Sequence, residues 1–376
     1  MNSTTAVLEN VTSASDVVDD VMSRTWLRVL FIALYCVIFA VGVSGNGLVV
    51  YVIVGNKSMQ TPTNIFINNL ALSDIMMCLL AVPFTPVSGL SHGWVLGEAL
   101  CHIVPMSLGV SVYVSTLTST AIAVDRYFAI VHPFRARMTA RMCLLVILAV
   151  WVTSVTISLP LAVYQELSWD DFQGVYVCQE HWPIYSARQF FTVTSLVLQY
   201  LVPCSIITVC YSLVSAALRR RSRAKKGMTA NGGVVPGRGP NHREQLEIRR
   251  NRRTNNMLIA MVTIFVCCWL PLNVINFTAE YYERMAEWNY FLLIFFVGHV
   301  TAMSSTIYNP FLYAWMNDTF RKEFKRVLPC LFGCGRCTGK RGHRGETASL
   351  VGITALTQGN ARPSAPPVPR PEPEVS

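Results

Sequence analysis

Asp125, Arg126 and Tyr127 stand in a row inside the apolar stretch AIAVDRYFAIVHPF, Ala121 to Phe134. Bilayer interiors reject charge, so either this stretch is not a membrane span or the pair sits at its end, where it can reach water. A second carboxylate, Asp74 in NLALSD, lies within another apolar run. In lipid an ionised group costs several kcal/mol unless it is partnered, so Asp74 marks a functional position. FVCCWLP places Phe265, Trp269 and Pro271 together, and NPFLY places Asn309, Pro310 and Tyr313 together. Proline within a helix removes a backbone hydrogen bond and permits a bend, so Pro271 and Pro310 mark hinges. No nucleophile–base constellation stands out, which argues against an enzyme. CGRC, Cys334 to Cys337, lacks a second ligand pair, so no structural metal is expected.

These residues need elements to hold them. The chain has 376 residues, 52% hydrophobic and only 14% charged. Its mean hydropathy is +0.40. That balance belongs to membrane proteins. Seven apolar runs cover roughly 27–54, 63–88, 101–128, 142–165, 190–217, 256–279 and 289–314. Each is long enough to cross a bilayer as a helix, which satisfies its own backbone groups in lipid. Short alternating strands, as in a membrane barrel, are not seen. The paired intramembrane charges and inverted repeats of a transporter are not seen either. The expected fold is an all-α membrane protein, a seven-helix bundle over 27–328. A short amphipathic helix, DTFRKEFKRVL, follows the last span on the lipid surface.

The net charge of +10 does not point to nucleic acid, because the bases fall in short loops. Lys57, Arg135, Arg137, Arg141, the runs Arg219–Lys226 and Arg249–Arg253, and Arg321–Arg326 share one side. By the positive-inside rule that side is cytoplasmic. The other side carries the N-terminus and Glu98, Glu166, Asp170, Asp171, Glu180, Glu280, Glu283 and Glu287. A multi-pass plasma-membrane protein with an extracellular N-terminal tail, 1–26, is expected. Asn2 and Asn10 are glycosylation acceptors on that tail. Residues 329–376 read as a disordered cytoplasmic tail, in which Cys330, Cys334 and Cys337 suit palmitoylation.

One further feature stands in each remaining span: Gly45-Asn46, Trp151, and Pro203 with Tyr211. Taken in order with the motifs above, they resemble the rhodopsin-like family of G-protein-coupled receptors over about 27–328. The resemblance implies a sodium ion, the one cofactor expected, at Asp74 with oxygens from Ser115 and Asn309. It implies that Asp125 holds Arg126 at rest and releases it to a heterotrimeric G protein, Gi/o or Gq. Tyr211 and Tyr313 then reorganise around it, and Trp269 links ligand to hinge. Many relatives lock the arginine with an acid at the foot of span six, where this chain has Asn251. A Cys101–Cys178 disulfide is implied. Arrestin and receptor kinases are implied partners, at Thr347, Ser349 and Thr354.

For the ligand, Leu108 stands where amine receptors carry an aspartate, and the last span has no lysine for retinal. The outer loops ELSWDDFQGVYVCQEHW and NFTAEYYERMAEW are acidic and aromatic, which favours a cationic ligand. NKSMQTPTNIFINNLALSD and HVTAMSSTIYNPFLYAWMNDTFRKEF, with the third span, are similar to the receptors for neuropeptide Y, prolactin-releasing peptide and short neuropeptide F. That resemblance implies an amidated neuropeptide ending in arginine and an aromatic residue. Glu280 would pair with the arginine and Glu180 is a second acid for that role. His299, Gln199 or Asn273 would meet the amide, because Leu108 replaces a glutamine common in relatives. A different peptide class, or a transporter, is the alternative.

Overall fold

Seven helices long and apolar enough to cross a membrane appear at Thr25–Gly55, Pro62–Gly89, Glu98–Val131, Ala140–Val163, Tyr185–Arg223, Leu246–Tyr281 and Phe291–Met316. They are called spans one to seven. The structure is a computed structural model and describes residues 22, 24–90, 93–171, 174–230, 242–282, 285 and 288–328. Asn2, Asn10, Glu283, Glu287, Cys330, Cys334, Cys337, Thr347, Ser349 and Thr354 lie outside the described residues.

Local chemistry sets where these helices begin and bend. Thr61 caps span two by accepting from the Asn64 amide, with Pro62 in the first helical position. Thr139 caps span four through the Met142 amide. In span two the helix Pro62–Leu80 breaks and resumes at Phe84–Leu90, around Pro83, which disfavours helix at the residue before it. In span five a π-helical turn, Val197–Leu201, precedes Pro203, whose missing N–H leaves a carbonyl without its helical donor. Pro271 and Pro310 lie inside spans six and seven.

Spans two and three are the central posts. In their apolar windows 61% and 56% of residues are buried, against 39% or less elsewhere. Polar ties cross between helices where lipid offers no competing water. Trp151 of span four donates to Asn69 Oδ1 of span two at 2.9 Å, and Asn69 Nδ2 donates to Thr118 of span three at 2.9 Å. Asn46 of span one donates to the Thr306 carbonyl of span seven at 2.9 Å. The family marks Asn46 and Trp151 are therefore cross-helix bonds.

The sequence shows no alternating strands and places span four at roughly 142–165. The structure adds an antiparallel hairpin after that span, β1 (Gln165–Asp170) and β2 (Val175–Glu180), with Leu167 opposite Cys178. Its turn uses Gly174 at φ 67°, a left-handed conformation suited to glycine. The Cys101–Cys178 disulfide, Cα–Cα 5.8 Å, fastens β2 to the start of span three. Trp94, Cys101 and Val104 pack with Leu167 and Cys178 around it.

At the opposite end Asn317 caps the helix Asp318–Val327 through the Thr319 amide. Phe320 and Phe324 are buried, and Phe320 stacks on Tyr313 of span seven with centroids 5.2 Å apart. The amphipathic helix expected after the last span is present and docked.

Candidate functional site

At the disulfide end, spans three, five and six and the end of β2 enclose a cavity of about 590 Å³. Leu108, Gln199, Asn273, Glu180 and Glu280 line it, with Trp269 in its wall. Five of the six sequence-selected ligand residues therefore share one space. His299 is not among its lining residues. It is 2% exposed, bonds Tyr35 Oη of span one through Nδ1 at 2.7 Å, and stacks on Phe295. Span seven turns His299 toward span one rather than toward the cavity.

Glu280, at the top of span six, is buried at 5% exposure. Arg188 of span five donates to its Oε2 from Nε at 2.9 Å, and its Nη2 forms an ion pair with the same oxygen at 2.8 Å. Tyr185, one helical turn before Arg188, donates to the Glu280 backbone carbonyl at 3.0 Å. Glu280 Oε1 is buried without a hydrogen-bond partner. The carboxylate is thus neutralised on one oxygen and unsatisfied on the other. Arg188, itself a lining residue, was missed from sequence. The one signal was a base at the start of a span on the acidic side, where the positive-inside pattern gives it no reason to be.

Glu180 follows a different arrangement. Its Oε2 accepts from Trp182 Nε1 at 2.8 Å, and the Trp182 ring lies 4.2 Å from Tyr164 and 5.2 Å from Phe191. The cavity mouth is therefore acidic and aromatic. Its depth is apolar: Leu108 and Phe265 pack against the cluster holding Trp269, and Trp269 Nε1 donates to Ser305 of span seven at 3.2 Å.

Asp74 lies below that cluster, 4% exposed. Its Oδ2 accepts from Asn309 Nδ2 at 2.9 Å, and the hydroxyls of Ser73 and Ser115 bond each other at 2.9 Å. No basic side chain pairs with Asp74 among the described residues.

At the basic end Arg126 Nη2 donates to Asp125 Oδ2 at 2.9 Å and to the Thr63 hydroxyl of span two. Thr63 in turn donates to Asp125 at 3.2 Å. Acid and base are tied to one another and to span two. Tyr127 turns away and meets His132 Nε2 at 3.2 Å. Tyr211 and Tyr313 are buried at 5% and 1% exposure, and the Tyr313 hydroxyl has no partner. The foot of span six is held from another direction. Arg253 donates to Asp318 Oδ1 at 2.5 Å and to the Trp315 carbonyl at 2.8 Å, joining span six to span seven and the C-terminal helix. In the sequence Arg253 is one base of the run Arg249–Arg253.

The family model described as "7 transmembrane receptor (rhodopsin family)" matches residues 45–313. The chain is similar to the human (Homo sapiens) neuropeptide Y receptor type 2, 36% identical over 313 residues, covering 81% of this chain and 77% of that protein. It is 36% identical to the Cavia porcellus protein of the same name over 320 residues, 83% and 79% of the two chains. The Gallus gallus protein is 34% identical over 334 residues, 87% and 82%.

Proposed function

The chain belongs to the rhodopsin family of seven-transmembrane receptors, and from that membership we propose that it senses an amidated peptide ending in arginine and an aromatic residue. In this reading the disulfide end faces outward with the N-terminus, and the basic end faces a heterotrimeric G protein, Gi/o or Gq. The observation that carries it is Glu280: a buried carboxylate, lining a cavity, with one oxygen unpartnered. A guanidinium satisfies such a group more strongly than a neutral donor does. Glu180 draws the cation to the mouth, Asn273 and Gln199 offer amides to the carboxamide, and the apolar wall by Leu108 takes the aromatic ring. The name shared by the relatives, neuropeptide Y receptor, favours a peptide.

The ligand acts by binding the active arrangement a few kcal/mol more tightly than the resting one. Trp269 couples the cavity to Pro271, and span six swings at that hinge. Arg126 leaves Asp125, and Tyr211 and Tyr313 close around it. Arrestin and receptor kinases then engage the tail. The test is a panel of amidated peptides on cells expressing the receptor, read as falling cyclic AMP for Gi/o and rising calcium for Gq. An Arg-Phe-amide peptide should respond and its free-acid form should not. A response confined to amides lacking arginine would overturn the reading in favour of another peptide class.

The Arg253–Asp318 tie must break when span six moves. Both side chains are partly exposed, at 38% and 60%, so the pair is worth at most about 1 kcal/mol. Asp318→Asn is expected to raise ligand-free signalling about two- to fivefold, measured as basal G-protein activity per surface receptor. An unchanged basal level would show that the tie does not restrain span six.

A sodium ion at Asp74 belongs to the same reading. The carboxylate is buried with one neutral donor, the Asn309 amide nitrogen, and the Ser115 hydroxyl and the Asn309 side-chain oxygen are ligands of the kind that suits a hard cation. Asp74, Ser115 and Asn309 would hold the ion, which would supply the positive charge Asp74 lacks. Peptide affinity in wild type should fall several-fold when sodium replaces choline in the buffer, and Asp74→Asn should make it insensitive. Equal sodium sensitivity in both would place the ion elsewhere.

A further inference from the structure

We infer that Arg188 is a specificity-determining residue, an internal counter-ion through which the receptor accepts a guanidinium and refuses an ammonium. The inference rests on Glu280 being the acceptor for the ligand's cation. Three observations lead to it. Arg188 and Glu280 line the same cavity. Arg188 brings both its contacts, the Nε hydrogen bond and the Nη2 ion pair, to the single oxygen Oε2 and leaves Oε1 without a hydrogen bond. The Arg188 side chain is 40% exposed whereas Glu280 is 5% exposed, so of the two it is Arg188 that can give way to solvent.

An incoming cation must therefore compete with one already present. Arg188 uses half of what the carboxylate offers. A ligand guanidinium can bridge Oε1 and Oε2 in the two-point fork that planar donors form with carboxylates, and so exceeds the contact it displaces. Arg188 then swings outward, its stem along apolar surface and its head in water. A lysine ammonium is a compact, strongly hydrated point charge. It cannot span both oxygens, offers no more than Arg188 already gives, and loses the competition. With Arg188 absent the carboxylate is unneutralised, and either cation binds.

The test uses two synthetic peptides, identical except that one ends Arg-Phe-amide and the other Lys-Phe-amide. Affinities are measured by competition binding on cells expressing the full receptor, normalised to surface copies. Wild type should prefer the arginine peptide. Arg188→Gln should improve the lysine peptide more than the arginine peptide and cut the preference about tenfold. Arg188→Lys, which keeps the charge but not the planar fork, should cut it about threefold and serves if the glutamine variant does not reach the surface. A preference unchanged in these variants, or equal weakening of both peptides, overturns the role of Arg188 alone. Glu280→Gln should weaken both peptides. If it leaves both unchanged, the assignment of Glu280 falls, and this inference with it. If neither peptide binds wild type, the arginine–aromatic reading itself falls and takes the inference along.

Discussion

Glu280→Gln is expected to lower the potency of an arginine-ended amidated peptide by about two to three orders of magnitude while leaving surface expression near wild type. Removing one member of a desolvated charge pair costs about 2–5 kcal/mol, roughly thirty- to several-thousandfold in affinity. Glu280 is in the class to which that range applies, being 5% exposed and lining the cavity. The amide keeps the shape of the side chain and can still accept from the Arg188 guanidinium, so the span five to span six contact survives as a hydrogen bond without the ion pair. Tyr185 still donates to the residue 280 carbonyl, which is backbone and untouched by the change. Expression should therefore hold while binding fails. Glu280→Arg is harsher, because it sets a second guanidinium against Arg188. Concentration–response curves on matched surface levels check the claim, and an unchanged midpoint for the glutamine variant removes the ion pair from the mechanism.

What the sequence revealed about this site depended on how far apart the partners lie along the chain. The spans were legible because about twenty apolar residues have few other uses. Their ends were not, since a helix can extend through polar residues beyond its apolar run; span three starts at Glu98, not 101. Asp125 and Arg126 are neighbours in the chain, the resemblance implies their pairing, and it is present at 2.9 Å. Arg188 and Glu280 are 92 residues apart, and nothing in either local stretch announces the other. The same holds for Arg253 and Asp318, 65 apart. His299 shows the remaining gap. Its place on span seven was readable, but the rotation that turns it toward Tyr35 depends on how span seven packs on span one. The hairpin was hidden differently: ELSWDD and GVYVCQE read as acidic loop, and their pairing is registered by Leu167 opposite Cys178 and by the disulfide.

Breaking that disulfide should have the second large effect. Cys101→Ser, Cys178→Ser and the double variant are each expected to lose peptide binding by at least about a hundredfold, with reduced surface levels. The bond closes 77 residues, for which the chain-entropy account gives about 4–5 kcal/mol in a free chain. Spans three and four, once inserted, already confine both ends, so the stability lost should be smaller than that. The binding loss should not shrink with it. Glu180 lies two residues beyond Cys178 at the end of β2, and Gln179 and Glu180 both line the cavity. Without the bond, β2 keeps its pairing to β1 but loses its anchor on span three, so the acidic cavity mouth is no longer fixed above Trp269. A single covalent link also makes a sharper forecast: the double variant should match either single, because each already removes the whole interaction. Saturation binding with a labelled peptide, alongside surface counting, measures both quantities. A double variant clearly worse than the singles would mean that the cysteines contribute separately. Near-wild-type affinity in all three would mean that the hairpin does not hold the ligand site in place.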